Sequence, residues 1–167
     1  KQLKTNNENK QKTKLPIVHC LLFVALFWYA SGAIKIYPHF LSYFNELVGG
    51  PTNGYKYVTD SNLDWGQDLK RLKQFVEKNN IETIYIDYFG GDSPEYRFKE
   101  KYQSWWGDRS PNDLPDDSWL AISATFLQGG RGEPALNFKQ KTGYYNWLNQ
   151  YEPVTVIGNS IFVYHIE

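Results

Sequence analysis

The chain has 167 residues, 18 Lys and Arg against 18 Asp and Glu, and therefore no formal net charge. With no basic stripe beyond the N-terminal tail, nucleic acid is excluded as the expected partner, and the single cysteine, Cys20, excludes a disulfide framework or a cysteine metal site. The length leaves room for one ordinary domain of about 100 to 150 residues plus an appendage. Aromatic residues make up 17% with six Trp, which reads first as a core built from rings and second as a carbohydrate platform.

Residues 1–16 form a polar tail. Lys1, Lys4, Lys10, Lys12 and Lys14 stand against one acid, Glu8, so composition leaves this tail without a fold of its own and the Lys bias places it in the cytoplasm. The run 17–34, IVHCLLFVALFWYASGAI, carries no charge and as a helix is about 27 Å long, close to the thickness of a bilayer core. One transmembrane helix over 17–36 is expected, with everything beyond Lys35 on the extracytoplasmic side. A cleaved signal peptide is the competing reading, with Ala30 to Ala33 small enough for the cleavage site. Because the chain opens at Lys1 and contains no Met, the expectation is the last membrane helix of a longer protein.

After Tyr37-Pro38, the residues Phe40, Leu41, Phe44, Leu47 and Val48 fall at helical spacing until Gly49-Gly50-Pro51. The spacing predicts an amphipathic helix within 37–50, lying in the membrane interface or packed on the domain. Residues 51–167 then read as an extracytoplasmic α/β domain. A β-prone stretch at 55–59 comes first. A helix over 65–78 follows, with Leu69, Leu72, Phe75 and Val76 on one face. The clearest strand is 83–89, ended by Gly90-Gly91-Asp92. Pro94 opens a second helix running to about Tyr102, with Ser93 as N-cap. A loop over 103–117, a buried strand at 118–123, a Gly-rich loop at 128–132 and a helix over 137–150 come next. Strands at 154–157 and 161–166 flank Gly158-Asn159-Ser160 as a hairpin. The order predicts an α/β fold: a mostly parallel sheet flanked by helices, with a C-terminal antiparallel hairpin.

In parallel sheets, ligands bind outside the carboxyl ends of the strands. Here those ends carry Asp60-Ser61-Asn62, Gly90-Gly91-Asp92 and Ser123-Ala124-Thr125. The densest polar segment is 60–69, DSNLDWGQDL, in which acids and amides suit sugar hydroxyls and the indole of Trp65 suits a sugar face. Asp60, Asn62 and Asp64 open with calcium-loop spacing, but Trp65 stands where glycine is required and Arg71 where a bidentate Glu closes the shell, so no metal is expected. Asp64 with Gln67 three residues on also matches a capping box, and Asp68 in the first helical turn complements the helix dipole. Arg131, in the Gly-rich loop, suits a phosphate. That loop has neither P-loop nor dinucleotide spacing, so no cofactor is expected. The expected binding set is Asp60, Asn62, Asp64, Trp65, Gln67, Asp68, Asp92 and Arg131.

Four segments in this order, 37–50 (YPHFLSYFNELVGG), 60–69, 120–123 (LAIS) and 157–161 (IGNSI), are spread along most of the chain beyond the apolar run. On them the chain resembles the C-terminal end of bacterial and archaeal membrane glycosyltransferases related to dolichyl-phosphate-mannose protein mannosyltransferases. The resemblance implies a multi-span enzyme that moves a sugar from a polyprenyl-phosphate carrier to a glycan or protein acceptor at the outer membrane face. The family's catalytic carboxylate lies in the first extracytoplasmic loop, which has no counterpart here, so no catalytic residue is carried over and the domain's implied role is accessory. Two rival readings are a membrane-tethered carbohydrate-binding module without catalysis, and a structural domain that docks on transmembrane partners.

Overall fold

The computed structural model describes residues 2–132 and 141–167, with side chains from residue 16 onward. It divides into two compact units, Lys1–Phe40 and Leu41–Glu167.

The first unit is a single helix, α1 (Gln2–Ile36). Its segment Pro16–Ile36, 21 residues of mean hydropathy 2.0, is long and apolar enough to cross a membrane. Ile17 and Phe27 on this segment are 59% and 76% exposed, unlike the core helix of a soluble protein. Ser31 donates to the carbonyl of Phe27 at 2.7 Å, which satisfies the hydroxyl within the helix itself. Composition alone leaves residues 2–15 without a fold, yet α1 runs through Pro16 to Gln2. Once a helix is nucleated, each added residue gains one hydrogen bond, and Asn, Gln and Lys oppose this only weakly.

The second unit is built on a five-stranded sheet of β1 (Ile84–Asp87), β2 (Tyr102–Ser104), β3 (Ser118–Ser123), β4 (Thr155–Ile157) and β5 (Ile161–Ile166), in the order β2-β1-β3-β5-β4. β1 pairs in parallel with β2 and β3, while β5 pairs antiparallel with β3 and β4, so only β5 runs against the rest. Side chains alternate across the sheet. Ile84, Ile86, Ala121 and Val163 face α2 (Leu69–Lys78), which buries Leu69, Leu72 and Val76 against them. On the other face Leu120, Ile122, Phe162 and Tyr164 pack with Trp105, Leu127, Tyr145 and Leu148. Each fully buried Leu or Ile in these layers contributes about 1.5–3 kcal/mol.

Several expected elements differ. The amphipathic helix within 37–50 is instead two 3-10 turns, Phe40–Ser42 and Glu46–Val48. Asn45 breaks it by accepting from Leu47 N at 3.1 Å, and its carbonyl accepts from Gly50 N, local bonding that competes with a helix. The stretch 55–59 is no strand: the 3-10 segment Pro51–Lys56 turns the Tyr55 ring onto Phe162, centroids 4.7 Å apart. The helix expected over 65–78 begins at Leu69. The helix after Ser93 is α3 (Pro94–Phe98), and the hydroxyl of Ser93 accepts from Tyr96 N at 3.2 Å as the cap. It stops where Lys99 takes a positive φ of 51°, and β2 follows inside the stretch read as helix and loop. Gln103 and Ser104 on β2 are exposed, so this edge strand has no apolar alternation to read. The Gly-rich loop begins late, because α4 (Ala124–Gly129) extends β3 directly. Of the helix expected over 137–150, residues 137–140 lie outside the described residues, and the remainder holds one 3-10 turn, Asn146–Gln150.

Candidate functional site

The carboxyl ends of β1 and β3 and the turn 158–160 share one edge of the sheet, since Ser123 pairs with Ile161. Backbone groups stitch the loops there. Phe89 N donates to the Ser123 hydroxyl at 2.9 Å, Ala124 N to the Ser160 carbonyl at 2.7 Å, and Asp60 N to the Thr125 hydroxyl at 2.9 Å. Two of the three expected loops, those after β1 and β3, therefore lie at this edge, Asp60 reaches it through Thr125 although no strand precedes it, and the side chains fall into two distinct groups.

The first group is a buried acidic pair beneath the N-terminus of α2. Asp68 is fully buried and ion-paired to Arg71; its Oδ2 accepts from Ser160 at 2.8 Å and from Gln67 Nε2 at 3.3 Å. Asp64 is 1% exposed; Oδ1 accepts from Gly66 N at 2.8 Å, while Oδ2 is buried without a hydrogen bond. Burial pushes the Asp64 carboxyl up to about 6, opposed by the Gly66 N–H and reinforced by the charge of Asp68. The expected capping box is absent. Asp64 caps Gly66, Gln67 Oε1 accepts from Trp65 N at 2.8 Å, and Asp68 occupies the cap position without a side-chain cap bond. The buried Tyr88 hydroxyl also lies here. Burial first, then the charges of Asp64 and Asp92, push it up to about 12. Gly66 and Gly90 make room for it, since a β-carbon at either would come within 2.2 or 2.5 Å of the hydroxyl.

The remaining expected residues are spread around this pair. Asp60 holds a positive φ of 61° and accepts from Ser61 N at 2.5 Å. Asn62 is exposed. Trp65 is 66% exposed, its indole N–H bonded to the Ser61 carbonyl at 2.6 Å. Asp92 accepts from Ser93 N at 2.8 Å and pairs with Arg97. Arg131 donates to the hydroxyl of the buried Tyr164 at 3.2 Å, which holds its guanidinium against the core. Among the described residues no group of three or more His, Cys, Asp or Glu could hold a metal ion.

The second group lies on the other face of the sheet. Asp87, the last residue of β1, is 9% exposed, and its Oδ2 accepts from the Tyr145 hydroxyl at 2.5 Å. Burial pushes its carboxyl up to about 6, the Tyr145 bond opposing. Tyr145 is held protonated by its own burial and by the Asp87 charge, so it remains the donor. Beside this pair opens a cleft of about 320 Å³ with Trp106, Phe126, Tyr144 and Lys141 in its walls. Sequence reading missed it, taking Asp87 as strand. The available signal was a lone carboxylate in the otherwise uncharged run TIYIDYF (83–89).

No protein-family model, no curated protein and no solved structure matches the chain.

Proposed function

We infer that this chain is the extracytoplasmic α/β domain, with its membrane helix, of a glycosyltransferase that uses a polyprenyl-phosphate-linked sugar. In this reading the domain assists binding of sugar or of a glycan or protein acceptor, and bond making occurs elsewhere. The observation that carries it is a membrane-length helix, Pro16–Ile36, whose chain continues into an α/β unit with the loops of β1, β3 and the 158–160 turn gathered at one sheet edge. Tethering such an edge to a bilayer raises its effective concentration toward a lipid-borne substrate. The exposed Trp65 and the cleft at Asp87 both supply the aromatic and carboxylate chemistry that suits a hydroxylated ring.

For Asp64 and Asp68 a structural role is favoured over direct sugar contact, because both are buried and Asp68 is already held by Arg71, Gln67 and Ser160. The test is reconstitution of the intact gene product in proteoliposomes with a radiolabelled polyprenyl-phosphate hexose. The expected result is transfer to a glycan or protein acceptor; a protein that consumes no lipid-linked sugar under any acceptor condition would end this reading.

A further inference from the structure

The cleft at the carboxyl end of β1 has a built polar floor and aromatic walls. Asp87 contributes a carboxylate whose Oδ2 is fixed by Tyr145 and whose Oδ1 accepts no hydrogen bond among the described residues. The indole of Trp106, 51% exposed, and the rings of Tyr144 and Phe126 supply apolar surface. Gly107 is what lets the Tyr144 ring close on this loop, since a β-carbon there would stand 2.0 Å from Tyr144 Cδ2. Lys141 and Asp108, paired at 3.1 Å and both exposed, add a donor and an acceptor at the mouth. The guanidinium of Arg109 packs on the Trp106 ring at 5.1 Å and helps orient the indole.

We propose that this cleft binds one pyranose ring, its C–H face stacked on Trp106 and Tyr144 and a hydroxyl donating to Asp87 Oδ1. A volume of about 320 Å³ lies at the low end of the about 300–1,000 Å³ of small-molecule sites, which fits a single sugar and not an extended glycan. An aromatic cage over a carboxylate also attracts a quaternary ammonium ion. Lys141 and Asp108 neutralise each other in the same wall, so the choice between the two falls to the hydroxyl donors that only a sugar offers to Asp87 Oδ1. The inference deepens the sugar-handling reading above and rests on it, naming the ring and its place.

The test titrates the full chain in lipid nanodiscs with methyl glycosides of mannose, glucose, galactose and N-acetylglucosamine, read by saturation-transfer NMR and tryptophan fluorescence. At least one glycoside binds saturably. Trp106→Ala and Asp87→Asn each weaken it tenfold or more, and Trp106→Phe restores most of the affinity, separating loss of a ring from loss of the fold. In a second arm a short-chain polyprenyl-phosphate hexose in the nanodisc either displaces the glycoside, marking the cleft as the donor's, or leaves it bound, marking it as the acceptor's; either supports a pyranose site. Binding of tetramethylammonium in place of every glycoside, glycoside affinity unchanged by Trp106→Ala, or no glycoside binding at all would each overturn the proposal. Glycoside binding in this cleft by a protein that transfers no sugar would sink the transfer reading alone.

Discussion

Gly158 lies directly against the carboxylate of Asp68: a β-carbon at Gly158 would stand 2.0 Å from both Asp68 Cγ and Oδ1. Gly158 also has a positive φ of 60°, followed by Asn159 at 67°, in the turn that Ser160 N closes on the Ile157 carbonyl at 3.1 Å. Gly158→Ala therefore combines backbone strain with a clash against a buried, ion-paired group, and the expected cost is about 2 kcal/mol or more in urea unfolding. A loss below about 0.5 kcal/mol would show that the turn and the acid are not in contact.

Asp68 itself is the second test. Asp68→Asn keeps the shape but breaks the ion pair with Arg71, whose side chain is one-third exposed and so partly screened by water. The expected loss is about 2 kcal/mol, between that of a surface pair and that of a fully buried one. A double-mutant cycle with Arg71→Ala should return a clear coupling between the two residues, and additive effects would contradict the pairing.

How much of this was legible in the sequence depends on which force decided each element. Strand 118–123 and strand 161–166 coincide with β3 and β5, because continuous apolar runs buried on both faces leave a direct signal in the sequence. The Ser93 cap was legible because its signal, a Ser followed by Pro at the first helical position, is local. The turns around Asn45 and Gly54 were not: Gly54 is required by the Phe44 ring, 2.2 Å from where its β-carbon would be, a tertiary fact that helical spacing hides. Likewise the acids of 60–69 stand out by composition, yet only burial separates Asp64 and Asp68 from the exposed Asp60 and Asn62. The Asp87 cleft needed Trp106 and Tyr144, far apart in the chain, to be seen together.

Asp64 gives a pH dependence with a definite sign. Its carboxyl is raised from 3.8 to about 6 in the folded state, so between those values the native protein holds a proton that the unfolded chain has lost. Stability from this group is thus largest below about pH 4 and declines as pH rises toward 6. Asp64→Asn removes that dependence. In thermal melts from pH 4.5 to 7.5 the variant should gain on the wild type as pH rises, and parallel curves would show that Asp64 ionises normally.

The Lys-rich tail and the α/β unit should lie on opposite sides of the membrane, the Lys bias before Ile17 being the warrant. Cys20 sits within the apolar segment, so Cys20→Ser with Asp113→Cys leaves one thiol, at an exposed site. In intact cells an impermeant maleimide is expected to label it from outside. Labelling only after the cytoplasm is opened would reverse the topology.

The proposed site for a sugar, of the lipid-linked donor or of the acceptor, is the carboxyl edge of this sheet. Photo-crosslinking of the intact protein in its membrane with two probes carrying a diazirine on the ring, a polyprenyl-phosphate sugar and a methyl glycoside, followed by peptide mapping, tests this placement. At least one probe is expected to form adducts on the loop bearing Trp106 and on α4 around Phe126, reduced several-fold by Trp106→Ala. A larger cleft of about 410 Å³, lined by residues such as Asn80 and Trp119, marks the amino-terminal edge of β1 and β3. Adducts of both probes confined to that edge, or to α1, would contradict this placement.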